Sequence, residues 1–210
     1  MTGVNGKPSH ELMIPTEEDF QSLAELQTVA FAEKAGTFES ASDIERNNLQ
    51  TYERYHREYP DKIKQCRVIK CPKDGNTILA ACQLSWKRQP NPKKITNPMH
   101  TDSHHRIVFI EWIACLPEHM NKGLGTTLIR WAADFAKKEM MVNTLTLYVV
   151  KANRRAVRLY KRRGFVEQNS DGTGPPGRLS KLASKMTTFL TLGLSRHFTV
   201  LTMEKNLSGP

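Results

Sequence analysis

RIVFIEWIACLPEHMNKGLGTTLIRWAADFAKKEMMVNTLTLYVVKANRRAVRLYKRRGF, residues 106–165, contains two strand–turn–helix units in succession. Ile107, Val108, Phe109, Ile110, Trp112 and Ile113 make the opening run almost continuously apolar, which predicts a strand over 106–115 buried on both faces. A glycine-containing loop follows. Leu124, Leu128, Ala132 and Phe135 then recur at helical spacing, predicting a helix over about 123–140. The β-branched run 144–150 predicts a second strand. Asn153 is placed to cap a second helix that runs to Arg163 and stops at Gly164.

Upstream, Thr16 and Asp19 read as a helix start, and Phe20, Leu23, Ala24, Gln27, Ala30 and Phe31 follow at helical spacing. A second helix is expected from Ser42 or Asp43 to Pro60. Residues 66–70 and 77–86 read as a hairpin around the turn 73–76. Downstream, 165–168 reads as a short strand, 169–178 as a Gly- and Pro-rich loop, 178–194 as an amphipathic helix and 197–204 as the last strand. This order predicts an α/β (α+β) fold, a sheet with helices on both faces. One domain is expected over 10–206, with tails at 1–9 and 207–210, and with 169–195 either a lid over a binding site or merely an insertion.

A length of 210 residues, 39% hydrophobic and 25% charged, fits one globular domain. No run of 18 apolar residues exists, so no membrane span is expected. Cys66, Cys71, Cys82 and Cys115 lack a second ligand pair at metal-site spacing and read as buried free thiols in a reducing compartment, with no metal. The expected location is cytoplasmic, with the nucleus left open. The net charge of +10 is uneven: residues 1–64 carry 7 Lys/Arg against 12 Asp/Glu, and residues 65–210 carry 24 against 9. A basic half suits a phosphorylated ligand, an anionic membrane or nucleic acid. No nucleic-acid motif appears and aromatics are 8%, so nucleic acid is not the expected partner.

Two constellations carry chemistry. In Met120-Asn121-Lys122-Gly123-Leu124-Gly125-Thr126 a glycine loop follows a strand and opens a helix, so backbone N–H groups and the helix dipole can cradle a pyrophosphate. Leu128 stands where a dinucleotide fingerprint needs a third glycine, and the Gly-Lys-Ser/Thr ending of a P-loop is missing. In Asn153-x-x-Ala156-x-x-Leu159-Tyr160-x-x-x-Gly164-Phe165, helical spacing brings Asn153 and Tyr160 toward one face, a capping amide and a phenol able to give a proton.

Together, the two patterns resemble the GNAT superfamily of acetyl-CoA-dependent N-acetyltransferases, whose coenzyme motif is Gln/Arg-x-x-Gly-x-Gly/Ala and whose next helix carries the second pattern. Ile113-Ala114-Cys115-Leu116-Pro117 is similar to the end of that family's central strand, and Leu201-Thr202-Met203-Glu204-Lys205 to its last strand. The likeness is close over 65–168 and in outline over 10–64 and 196–206. Met120 departs from the first motif position. The resemblance implies a central mixed, mostly antiparallel sheet flanked by helices on both faces. It implies acetyl-CoA as co-substrate, held by Cys115, Met120, Asn121, Lys122, Gly123, Leu124, Gly125, Thr126, Asn153 and Tyr160. It also implies direct transfer to an amine, with Tyr160 as acid for the thiolate and the backbone N–H of Cys115 on the thioester oxygen. Glu111, four residues before Cys115 and so expected on the same strand face, is the candidate base; its alternative role is an ion pair with a nearby Arg or His.

His100, His104 and His105 precede the central strand and read as a solvated loop or as part of the acceptor site. Arg154, Arg155, Arg158, Lys161, Arg162 and Arg163 crowd the second motif's helix, as a solvated face or as attraction for coenzyme phosphates. The acceptor is expected to be a primary amine, a small cationic one by the acidic balance of the N-terminal helices. A protein or peptide amine, or a non-catalytic acyl-CoA-binding protein of the same fold, are the alternatives. A homodimer is left open.

Overall fold

A computed structural model describes residues 10–35, 40–89, 105–168 and 200–208. The tail 1–9, His100, His104, the side chain of His105, the insertion 169–195 and the expected helix 178–194 lie outside the described residues or side chains.

The N-terminal half is helical. After a 3-10 turn (Glu17–Asp19), α1 spans Phe20–Ala35, α2 spans Ala41–Glu58 and α3 spans Pro60–Lys64. The Thr16–Asp19 start is real: the Asp19 carboxylate accepts the backbone N–H of Thr16 at 2.9 Å, and its other oxygen meets Lys70 Nζ at 2.6 Å. Ser40, two or three residues before the expected start, caps α2 by accepting the N–H of Asp43. Pro60 does not merely end α2. It opens α3, because proline has no N–H to lose at the first helical position.

Among the described residues six strands follow: β1 (Cys66–Lys70), β2 (Ile78–Gln89), β3 (His105–Cys115), β4 (Thr144–Val150), β5 (Val166–Glu167) and β6 (Val200–Asn206). Their order is β1-β2-β3-β4-β6-β5, antiparallel throughout except for β3 beside β4. β1 and β2 form the expected hairpin. Its turn is held by Asp74, whose carboxylate accepts from the N–H groups of Asn76 and Thr77, and by Gly75 at φ 69°. Two further helices, α4 (Leu124–Lys138) and α5 (Arg154–Arg162), join β3 to β4 and β4 to β5.

The sheet has a core on each face. Beneath α4 and α5 lie Cys82, Leu84, Val108, Ile110, Leu145, Leu147 and Met203, met by Leu124, Leu128, Ile129 and Ala132 of α4. On the other face Phe20, Leu23, Ala24 and Leu26 of α1 and Tyr52 of α2 cover Cys66, Val68, Ala81 and Ala114. Packing continues past the expected boundary at 206: Leu207 is buried and its N–H donates to Asn143 O at 2.7 Å. Among the described residues no helix is long and apolar enough to cross a membrane.

Candidate active site

The site begins where β3 and β4 part. They pair only at Val108–Leu145, Phe109–Thr146 and Ile110–Leu147, yet β3 continues to Cys115 and β4 to Val150. Two parallel strands that diverge after three pairs leave a wedge between them, its β3 edge carrying backbone groups with no β4 partner.

A β-bulge sits at the apex. Gln83 faces Trp112 and Leu84 faces Ile110, so Glu111 is the extra residue of β3. The bulge corrects one expectation. Strict alternation puts Glu111 and Cys115 on one face, but the added residue shifts the phase. Ile113 and Cys115 pack on the α4–α5 core, and Trp112 and Ala114 on the α1–α3 core. Glu111 faces the α1–α3 side, where its Oε2 lies 3.5 Å from Lys62 Nζ of α3. The carboxylate thus has an ion pair, but to a lysine where an Arg or His was expected, and among the described residues that oxygen has no hydrogen bond. Its charge reaches Tyr52, Tyr55 and Cys66 and helps raise their pKa values, after burial as the main cause for each. Gln83 Oε1 and Ser85 Oγ, on β2 beside the bulge, are buried without a partner among the described residues. Each such group costs about 1–3 kcal/mol, which marks this side as polar beneath an apolar cover.

The backbone N–H of Cys115 faces away from β2. The N–H of Leu116 donates to Leu79 O on the β2 side, so alternation turns the Cys115 N–H to the opposite edge, into the wedge. Its thiol is half-buried and donates to Leu116 O at 3.4 Å. Burial, with Glu118 adding to it, pushes this thiol up to about 11 against the pull of Arg155 and Lys122, which keeps it protonated near neutral pH.

Below the wedge, Met120 leads into Asn121 (φ 64°) and Gly123 (φ 91°) before α4 begins. A Cβ on Gly123 would meet nothing within 4 Å, so its dihedral, not space, requires glycine. Among the described residues no side chain caps α4, so there the first-turn N–H groups of Leu124, Gly125 and Thr126 remain open at the positive end of the dipole. That donor set fits a pyrophosphate. Gly125 differs: it is helical, and a Cβ there would sit 3.2 Å from Leu159 Cδ2, the end of a side chain on α5.

Asn153 caps α5, its Oδ1 accepting from Ala156 N at 3.2 Å. Tyr160 is buried on the α4–α5 face with its ring edge-on to Phe165 at 5.7 Å. Burial, with Cys82 nearby, holds its phenol above the usual range, so it stays protonated. The structure brings together the wedge edge at Cys115, the loop from Met120 to Thr126, and the first turns of α4 and α5. Glu111 is on the other side of the sheet. Sequence reading missed Lys62, because α3 was not foreseen, and the polar pair Gln83 and Ser85, because the bulge beside them depends on register. Thr126 also borders a groove with Arg130, Asp134, Arg162, Arg163 and Lys205, where part of the basic surplus gathers. Among the described residues no cluster of His, Cys, Asp or Glu could hold a metal ion.

The chain is similar to known proteins. A spermidine N(1)-acetyltransferase of Vibrio cholerae is 33% identical over 72 residues, 34% of this chain and 38% of that protein. A streptothricin acetyltransferase of Streptomyces lavendulae is 45% identical over 56 residues, 27% of this chain and 29% of that protein. The matches therefore span about a third of each relative. Among solved structures, the PaiA N-acetyltransferase of Thermoplasma acidophilum with coenzyme A shares the fold at TM-score 0.57 and 16% identity, covering 95% of this chain and 99% of that one. The family model described as the acetyltransferase (GNAT) family matches residues 24–165, well over half of the chain, which therefore belongs to that family.

Proposed function

We propose that this chain is an N-acetyltransferase that moves the acetyl group of acetyl-CoA directly to a primary amine, a small cationic one. The carrying observation is the wedge between β3 and β4, which runs from the Cys115 N–H to the uncapped start of α4. In this reading the first-turn N–H groups of α4 take the pyrophosphate and the Cys115 N–H donates to the thioester oxygen as negative charge develops. The acceptor approaches from the α1–α3 side. Its nitrogen forms the new C–N bond while Glu111 accepts its proton, directly or through a water. The C–S bond breaks, and Tyr160 donates a hydrogen bond to the departing thiolate.

Three observations support a cationic acceptor: the acidic balance of residues 1–64, the unpartnered acceptor oxygens beside Glu111, and the spermidine N(1)-acetyltransferase among the relatives. The cytoplasm fits the four free thiols.

Thermal unfolding with acetyl-CoA tests the coenzyme half. A hundredfold excess over Kd stabilises by about 2.7 kcal/mol, a rise of roughly 5–10 °C in Tm for a chain of this size. Thiol release with spermidine, simple alkylamines and a lysyl peptide tests the acceptor half. Turnover with the peptide alone would overturn the small-amine assignment, and no Tm rise at millimolar acetyl-CoA would overturn the coenzyme site.

A further inference from the structure

The coenzyme motif begins with Gln or Arg in the family this chain resembles, and here that position is Met120. The loop nevertheless has a guanidinium beside it. Arg155, in the first turn of α5, extends across to α4's loop, and its Nη1 lies 3.0 Å from Met120 Sδ. A thioether is a weak acceptor. None of the ion pairs among the described residues includes Arg155. Its remaining donors are not committed to a carboxylate there. Its charge is felt at the thiol of Cys115, as is that of Lys122, which sets both cations beside the wedge end of β3. The neighbouring backbone adds N–H donors from α4 with no cap.

We propose that Arg155 is a coenzyme-binding residue: it leaves the Met120 thioether and takes the pyrophosphate oxygens of acetyl-CoA with its planar fork, supplying from α5 the cationic contact that position 120 lacks. This rests on the coenzyme reading given above. The chemistry favours it. A guanidinium meets two phosphate oxygens at once, and Met120 offers it a soft apolar rest that gives way at small cost, where a second arginine would repel it.

Calorimetric titration with coenzyme A and with dephospho-coenzyme A, which keeps the pyrophosphate but lacks the 3′-phosphate, tests the assignment. Arg155→Ala is expected to weaken both ligands by the same factor, roughly tenfold to a hundredfold, with the Tm of the free protein unchanged. Equal affinity in variant and wild type overturns the proposal. A loss confined to coenzyme A also overturns it, since the contact would then be to the 3′-phosphate. If Arg155→Ala lowers the Tm of the free protein, the double variant with Met120→Arg decides. Regained affinity sustains the proposal, because a guanidinium has been returned to the same phosphates from the other side; no gain overturns it. A wild-type protein that binds neither ligand refutes the coenzyme reading itself and is distinct from every outcome in which wild type binds and the variant does not differ.

Discussion

The phenol of Tyr160 is buried against Phe165 and its pKa is raised, with burial the main cause. An ordinary thiol titrates near 8.5, so complete proton transfer from this phenol to a thiolate is uphill by about 2 kcal/mol or more. The residue is therefore better suited to stabilising the thiolate by a hydrogen bond than to surrendering its proton. Tyr160→Phe should lower kcat by about a hundredfold while the Kd for coenzyme A stays within a factor of about two, read by thiol release and calorimetry. Because the phenol's pKa is raised, the wild-type pH–rate profile should show no inflection from it below about pH 10. Glu111 makes a second test. Glu111→Gln should cut turnover by about a hundredfold without changing acetyl-CoA affinity, and unchanged turnover over the full pH range would remove it from the mechanism. These two residues differ in how they could be read. Tyr160 follows from spacing along one helix, where i and i+4 geometry is local. The partner of Glu111 does not, because Lys62 sits on a five-residue helix that opens at the proline expected to end its predecessor.

Elements set the geometry of the site through two local irregularities, the bulge in β3 and the turn into α4. Periodicity predicts the run of β3 correctly but puts Glu111 and Cys115 on one face. A bulge is a relation between two strands, and its position at Gln83/Leu84 against Trp112/Ile110 depends on register that neither segment contains alone. The start of α4 is more legible, since a glycine loop after a strand announces it, but the two glycines have unlike duties. Gly123 sits at φ 91°, where a Cβ strains the backbone, so Gly123→Ala should destabilise the protein by about 1 kcal/mol and weaken coenzyme A. Gly125 is helical and its added Cβ would press only on the end of the Leu159 side chain, 3.2 Å away. The gain in helix propensity, about 0.5–1 kcal/mol, offsets that contact if Leu159 rotates. Gly125→Ala should therefore lie near neutral. Urea titrations of both variants check the contrast, and equal losses would show that close approach, not dihedral strain, governs the loop.

For the whole molecule, the sheet order β1-β2-β3-β4-β6-β5 puts the last described strand between two earlier ones, a placement that no local pattern reveals; the family likeness of the paired motifs implied only a mixed, mostly antiparallel sheet. The same packing has a consequence for stability that does not depend on the active site. The cores on the two faces enclose several acidic protons. Burial pushes the Cys66 thiol up to about 12, with the charge of Glu111 adding a little, and it raises Cys82, Tyr52 and Tyr160 as well. Each of these groups holds its proton more tightly folded than unfolded. Their contribution is complete below the ordinary thiol and phenol values and is lost as pH rises toward the folded ones. For Cys66 that window runs from about 9 to about 12. Within it a single such thiol removes up to about 1.4 kcal/mol of stability per pH unit. The free energy of unfolding in urea should thus fall steeply above pH 9. Cys66→Ala, though less stable at neutral pH through a small cavity, should lose stability more slowly by about that slope between pH 9 and 11. Parallel slopes for variant and wild type would mean that the Cys66 thiol ionises in the folded protein and that the α1–α3 core opens to water before the chain unfolds.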